Sequence, residues 1–269
     1  LKSFKKFNFK KINLTNIKSL ERIFQISKFD FVFNLAAQAG VRYSIDHPRK
    51  YIDANVLGFF NVIECCKKYK IKRLFYASSS SVYGESKKFP LKEKEIINPK
   101  NIYGLSKKIN EEISIIYNKF YNLNLTGLRF FTVYGEWGRP DMMMLKFIEC
   151  YFRGKVFKLH NFGKHTRDFT HIDDVVEILF QLLKNNKKLK KNDILNICSN
   201  KPVNLSNVIS FMIKNDIKPK ISKVKLQKAD ILKTHGDNKR LFKYIGKKKF
   251  NDWRVSVKNL ILWYKSNML

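Results

Sequence analysis

The chain has 269 residues, 44% of them hydrophobic, enough to bury one large core or two unequal domains. No run approaches the ~18 uncharged apolar residues of a membrane span, no signal-peptide pattern opens the chain, and the expected compartment is the cytoplasm. The net charge of +32 suggests nucleic acid, but lysine outnumbers arginine 44 to 10 and gathers in loops such as Lys184 to Lys191 rather than on one aromatic-interleaved stripe, so a solvated basic surface that steers small anions is expected instead.

In chain order, Asn8 to Leu14 and Phe29 to Ala36 have strand character, and Asn55 to Tyr69 has helical character. Ile71 to Ala77 is a short apolar run bounded by charge, a buried parallel strand that delivers Ser78 to Ser81 at its C-terminal end. A helix opening at Tyr103 follows, with Ile109, Ile113, Ile116 and Phe120 at near-helical spacing toward the sheet, and then a strand over Leu125 to Val133. This alternation predicts an α/β fold with a doubly wound parallel sheet. Residues 1–137 form its domain and 138–269 a smaller one, with 168–183 packing back on the first. Cys65, Cys66, Cys150 and Cys198 lack CxxC spacing and are expected as reduced, buried thiols, and His47, His160, His165, His171 and His235 show no metal-ligand spacing.

A Tyr-x-x-x-Lys pair recurs four times, from Tyr83, Tyr103, Tyr151 and Tyr244, so context must choose. Tyr83 runs into a polar loop and Tyr244 into a lysine cluster, which marks both as surface residues, while Tyr151 suggests packing. Tyr103 and Lys107 lie four apart at the start of the helix that follows the serine strand, one above the other and able to share a cleft. A free phenol has a pKa of about 10, and lowering it by ~3 units takes roughly 4 kcal/mol. One ammonium at about 4 Å supplies ~4 kcal/mol at an effective dielectric of about 20 but only ~1 in bulk water, so the pair is useful as a base only in a sheltered cleft. A serine from the strand end could hold the substrate oxygen and share the proton.

At this point the chain resembles the extended short-chain dehydrogenase/reductases, within the NAD-dependent epimerase/dehydratases, and most closely the UDP-glucuronate 4-epimerases. The matching stretches are Asn34 to Ser44 (NLAAQAGVRYS), Tyr76 to Gly84 (YASSSSVYG), Tyr103 with Lys107, Gly127 to Gly135 (GLRFFTVYG), Trp137 to Met142 (WGRPDM) and Arg167 to Asp174 (RDFTHIDD). The resemblance implies a Rossmann-like fold with a smaller C-terminal substrate domain, NAD as cofactor, a UDP-sugar substrate and a homodimer. It also implies 4-epimerisation of UDP-glucuronate to UDP-galacturonate through a transient 4-keto sugar. Another nucleotide-sugar epimerase or reductase is the alternative, as is a noncatalytic truncated remnant or basic binding protein.

By the same resemblance Ser79, Tyr103 and Lys107 are catalytic. Leu35, Ala36, Ala37, Gln38, Asn55 and Phe130, with Tyr103 and Lys107, line the cofactor. Arg42, Ser80, Ser81, Thr132, Arg139, Arg167 and Asp230 face the substrate. Alternatives stay open: a plain tight turn at Ala36 to Gln38, a helix cap or a bond near the catalytic lysine for Asn55, strand termination for Ser80 and Ser81, a salt bridge for Arg167, and loop bracing for Arg139 in place of a sugar carboxylate. Asp173 and Asp174 suit a helix N-terminus. Ser80 and Ser81 stand where 4,6-dehydratases carry an Asp-Glu pair, which argues against elimination of water.

The chain departs from the family at Asn13 and Asn16, where acids often stand near the adenine, at Cys198 for a glycine, and at Lys228-Ala229 for Pro-Gly. It holds 11 glycines and no G-x-x-G-x-x-G turn, and it begins in what resembles the stretch just before the family's third strand. The first two strands are therefore expected to be missing, with the third, at Asn8 to Leu14, left without neighbours.

Overall fold

The computed structural model describes residues 4–227 and 230–269, so Lys228 and Ala229 lie outside the described residues. Regular structure starts at Asn16, whose side chain accepts the Ser19 N–H at 3.1 Å and caps α1, Ile17–Ile26. β1 is Phe31–Asn34. Two single-turn helices, α2 (Tyr43–Asp46) and α3 (Pro48–Tyr51), lead through a π-helical turn at Ile52–Leu57 into α4, Gly58–Lys68. β2, Arg73–Ser79, runs into a 3-10 turn at Ser80–Tyr83. Asn101 caps α5, Ile102–Tyr121, which ends at Asn122 in the left-handed conformation (φ 52°). The remaining elements are β3 (Leu125–Phe130), β4 (Thr132–Tyr134), α6 (Met143–Phe152), β5 (Phe157–His160), β6 (Thr166–His171), α7 (Ile172–Lys184), β7 (Asn192–Ile197), β8 (Pro202–Asn204), α8 (Leu205–Lys214), β9 (Ile221–Val224), α9 (Lys239–Ile245) and α10 (Trp253–Met268).

The principal sheet has the order β1-β2-β3-β7 with every neighbour parallel. Alternation along β2 explains how helices cover both faces. Phe75 packs with Leu128, Ile178, Leu182 and Leu195 on one side, and Tyr76 packs with Phe59, Ile63 and Leu125 on the other. This is the doubly wound α/β arrangement. A separate core joins Phe147 and Ile148 of α6 to Met212 of α8 and Leu260 of α10.

Local expectations shift where tertiary partners intervene. Asn8 to Leu14 is not a strand: no described strand lies beside it to complete a ladder. Ile12 and Leu14 pack against the core, and Asn61 Nδ2 donates to the Leu14 carbonyl at 2.8 Å. The strand expected over Leu125 to Val133 breaks at Phe131, whose N–H donates to the Ile197 carbonyl at 3.1 Å. β4 then leaves the large sheet and pairs with β6. The stretch returning to the large sheet is longer than 168–183, because β7 is its outer strand.

All four cysteines are buried and unpaired. No described helix is long and apolar enough to cross a membrane, and no group of three potential metal ligands occurs among the described residues.

Candidate active site

The end of β2 and the start of α5 meet because two local features allow it. Ser79 Oγ accepts the Ser81 N–H at 3.1 Å and turns the chain out of the strand. Gly104 lets the helix approach: a Cβ there would lie 2.7 Å from the Ser81 carbonyl oxygen. Tyr103 is thereby brought beside Ser79.

The structure unites Ser79, Tyr103 and Lys107, with one correction to the expected electrostatics. Lys107 is 3% exposed, its Nζ donates to the Ala77 carbonyl at 2.8 Å, and burial brings its pKa down to about 8. Burial raises the pKa of the Tyr103 phenol, while the adjacent Ser79 hydroxyl and the Arg139 charge pull the other way. The positive neighbour that acts on the phenol in this state is Arg139, because the lysine head is turned to a strand carbonyl.

On the β1 side, Ala36 and Ala37 are exposed and Leu35 is 47% exposed at the strand end. Asn55 does not cap a helix. It sits in the π-helical turn, accepts the Gln38 N–H at 2.7 Å, and donates to the Gln38 carbonyl at 3.0 Å and to Ser106 Oγ at 2.9 Å, next to Lys107. Phe130 lies opposite Ser79 in the β2–β3 register.

The arginines carry the largest differences from expectation. Arg139 lies beside Tyr103 and Tyr51, but its guanidinium forms two bonds to Asp141, at 2.9 and 2.6 Å. Arg42 forms two bonds to Asp230, at 3.2 and 2.9 Å, so two expected substrate residues pair with each other. Arg167 makes no ion pair among the described residues. It donates to the Thr166 and Leu232 carbonyls at 2.9 and 3.1 Å, and burial lowers its pKa to about 10 against the pull of nearby Asp230. His165 stands 3.8 Å from Asp230, its pKa lowered to about 4 chiefly by burial and then by Arg167. Ser80, Ser81 and Thr132 are half-buried.

The other tyrosines of the repeated pair are placed elsewhere. Tyr83 is not a surface residue: its hydroxyl donates to Asn196 Oδ1 at 2.7 Å and Arg129 stacks over its ring. Tyr244 donates to buried Asp193 at 2.5 Å, and Tyr151 is 38% exposed against Phe152. Asp173 gives its N–H to His171 Nδ1, whereas Asp174 pairs with Lys248 at 3.0 Å.

One supporting network carried no motif in the sequence. Glu111, one turn beyond Lys107, accepts the Ser78 hydroxyl at 2.5 Å and two bonds from Arg129 at 2.9 and 2.7 Å. The i,i+4 spacing from Lys107 was the available signal, since it puts both on the buried face of α5, whereas the row expected to face the sheet turns outward, with Ile116 50% and Phe120 67% exposed.

A family model, NAD dependent epimerase/dehydratase family, matches residues 2–198. The chain belongs to this family. It is 39% identical over 276 residues to Protein CapI of Staphylococcus aureus, covering 96% of this chain and 82% of that protein. It is 36% identical to UDP-glucuronate 4-epimerase 4 of Arabidopsis thaliana, covering 94% of this chain but 62% of the plant protein. Among solved structures it is similar to the UDP-glucuronic acid 4-epimerase of Bacillus cereus in complex with UDP-glucuronic acid and NAD. There the TM-score is 0.92 at 26% identity, over 98% of this chain and 83% of that one.

NAD comes with the family as cofactor. The residues present can take part of such a group: the buried Lys107 ammonium makes one described bond, to Ala77, and keeps two further N–H donors for a ligand. Ala36 and Ala37, beyond the end of β1, are exposed. The sequence holds no G-x-x-G-x-x-G turn for the diphosphate.

Proposed function

We propose that the protein epimerises C4 of a UDP-sugar, with UDP-glucuronate as substrate and UDP-galacturonate as product. The observation that carries this is the convergence of Ser79, Tyr103 and Lys107 at the β2–α5 junction, with Ser80 and Ser81 where a dehydratase would need an acid and a base. The resemblance to UDP-glucuronate 4-epimerases supports the choice of sugar. NAD, when bound, supplies a reversible two-electron acceptor at C4.

The chain's own groups handle the proton. Tyr103 takes it from the C4 hydroxyl and returns it after the 4-keto sugar has turned over, while Ser79 holds the oxygen. Arg139 favours the ionised phenol, while Lys107 is bonded to the Ala77 carbonyl in this state. Residues 1–137 hold the cofactor and 138–269 most of the nucleotide sugar, with Arg167 and Arg42 at the diphosphate and Asp230, paired with Arg42, beside the substrate. NMR identification of UDP-galacturonate formed by the full-length protein from UDP-glucuronate tests the assignment; no product from any UDP-sugar would refute it.

The Arg139–Asp141 pair favours a second reading, a neutral hexose such as UDP-glucose. A guanidinium already engaged by Asp141 offers a carboxylate less than a free one. Comparing kcat/KM for the two sugars in wild type and Arg139→Ala separates them: the glucuronate reading requires a selective loss for the charged sugar.

A homodimer is part of the proposal. Ile116 and Phe120 of α5 are 50% and 67% exposed, and Phe60 of α4 is 42% exposed. The groove on α5 also carries Lys108 and Glu112. A second copy crossing by a two-fold near residue 110 sets Lys108 of each chain against Glu112 of the other. Sedimentation velocity should show a dimer that Ile116→Asp converts to monomer; a monomeric wild type would refute it.

A further inference from the structure

Tyr51, which belongs to no recognised motif, is fully buried and ties down the loop beneath the proposed cofactor site. Its hydroxyl lies 2.6 Å from the Gly40 carbonyl oxygen and 2.9 Å from that of Ala39, and the Gln38 side chain is close enough to hydrogen-bond it. A phenol has one proton, so the two carbonyls share it. Four residues on, Asn55 holds both backbone groups of Gln38 and reaches Ser106 on α5. Two side chains from one helical stretch therefore grip three consecutive loop residues and, through Ser106, the helix that carries Tyr103 and Lys107.

The gripped loop needs holding. Gly40 has φ 106°, a region that glycine alone occupies readily, and a Cβ there would lie 3.5 Å from Tyr51 Oη and 3.9 Å from Arg139 Nη2. The Tyr51 ring stands edge-on to Tyr103 with centroids 6.2 Å apart. Tyr51 is thus one wall of the pocket around the proposed base as well as the anchor of the turn.

We propose that Tyr51 is a positioning residue for the reaction, fixing the Gln38 to Gly40 loop and the wall beside Tyr103 in a single geometry. The inference rests on the epimerase reading for its effect on turnover, but the clamp itself does not depend on it. Without the phenolic proton the Ala39 and Gly40 carbonyls lose their side-chain donor, and the loop is less firmly held.

Tyr51→Phe keeps the ring and removes only the oxygen, so it tests the clamp with little risk to folding. Hydrogen exchange on the full-length protein should accelerate by about 10-fold or more in peptides covering Gln38 to Arg42 while the β2 and β3 peptides stay protected. Turnover should fall by about 10- to 100-fold in kcat, with KM for the sugar nucleotide within about twofold of wild type. Wild-type exchange in the loop, or faster exchange with unchanged kcat, would overturn the proposal. Faster exchange throughout the sheet would mark a purely structural tyrosine and overturn it as well. If wild type turns over no UDP-sugar, the epimerase reading fails, while the exchange comparison still decides whether Tyr51 holds the loop.

Discussion

Tyr103 and Lys107 show how burial and charge divide one chemical task. Burial works against ionising the phenol, and Ser79 and Arg139 work for it. Tyr103→Phe removes the base and one oxygen, so kcat should drop by about 10²- to 10⁴-fold with nucleotide affinity nearly unchanged; Tyr151→Phe, at an exposed site, is the control. Steady-state kinetics with calorimetry on both variants checks this, and activity within a few-fold of wild type in Tyr103→Phe would remove the phenol from the mechanism. Lys107 gives a pH signature. Its folded pKa of about 8 lies below the ordinary 10.5, so between those values the unfolded chain holds a proton that the folded chain has lost. Stability from this group therefore rises with pH across that window, by up to about 3 kcal/mol, and the cost of burying its charge is fully present below about pH 8. Urea midpoints of wild type should accordingly rise relative to Lys107→Met between pH 7.5 and 10; parallel curves would show that the ammonium is not buried as described.

At the scale of elements, the junction of β2 with α5 decides whether these side chains meet. Lys107 bonds the Ala77 carbonyl, and Glu111, one turn later, takes the Ser78 hydroxyl, so two successive strand residues index two successive helix turns. The N-terminal end of the helix closes on the strand only because residue 104 lacks a side chain. Gly104→Ala would place a Cβ 2.7 Å from the Ser81 carbonyl oxygen and 2.9 Å from Pro99 Cβ. Relieving that overlap should cost about 1–3 kcal/mol of stability and displace Tyr103 enough to lower kcat by about 10-fold or more. Thermal unfolding and kinetics measured together check it: a variant with wild-type kcat would mean that the helix start tolerates displacement. The break between β3 and β4 belongs to the same scale: Phe131 still bonds the Ile197 carbonyl of β7, Thr132 then pairs with Phe169 of β6, and Phe130 stays opposite Ser79.

Across the whole molecule, charged side chains join stretches far apart in the chain. Asp168 accepts bonds from the Ser199 N–H and hydroxyl, at 3.0 and 2.7 Å, and from the Gly236 N–H at 3.1 Å. Three segments around the proposed diphosphate residues hang on that one carboxylate. Asp168→Ala strands three donors and should destabilise the protein by about 2–4 kcal/mol, lowering its melting temperature. Calorimetry that found no change would show that these segments are held by other contacts.

What the sequence determined by itself was local or patterned. The apolar run before the serines, the helical spacing after Tyr103 and the alternation of elements point to a parallel α/β sheet, because strand and helix periods depend on neighbours only a few residues away. The spacing of Tyr103 and Lys107 was legible for the same reason, and the family resemblance singled out Ser79; that the helix start meets the strand end was not local information. What only the tertiary structure decided was the choice of partners. Arg42 meets Asp230 across 188 positions of sequence, and despite their polar flanks Tyr83 is buried against Asn196 and Tyr244 is half-buried with its hydroxyl on Asp193. Asn8 to Leu14 has strand-like residues but forms no strand, since a ladder is a property of two segments and no described neighbour supplies the second. Arg139 shows the same limit at the site: its charge and loop were legible, but whether its fork faces a sugar or Asp141 depends on how that loop folds back on itself.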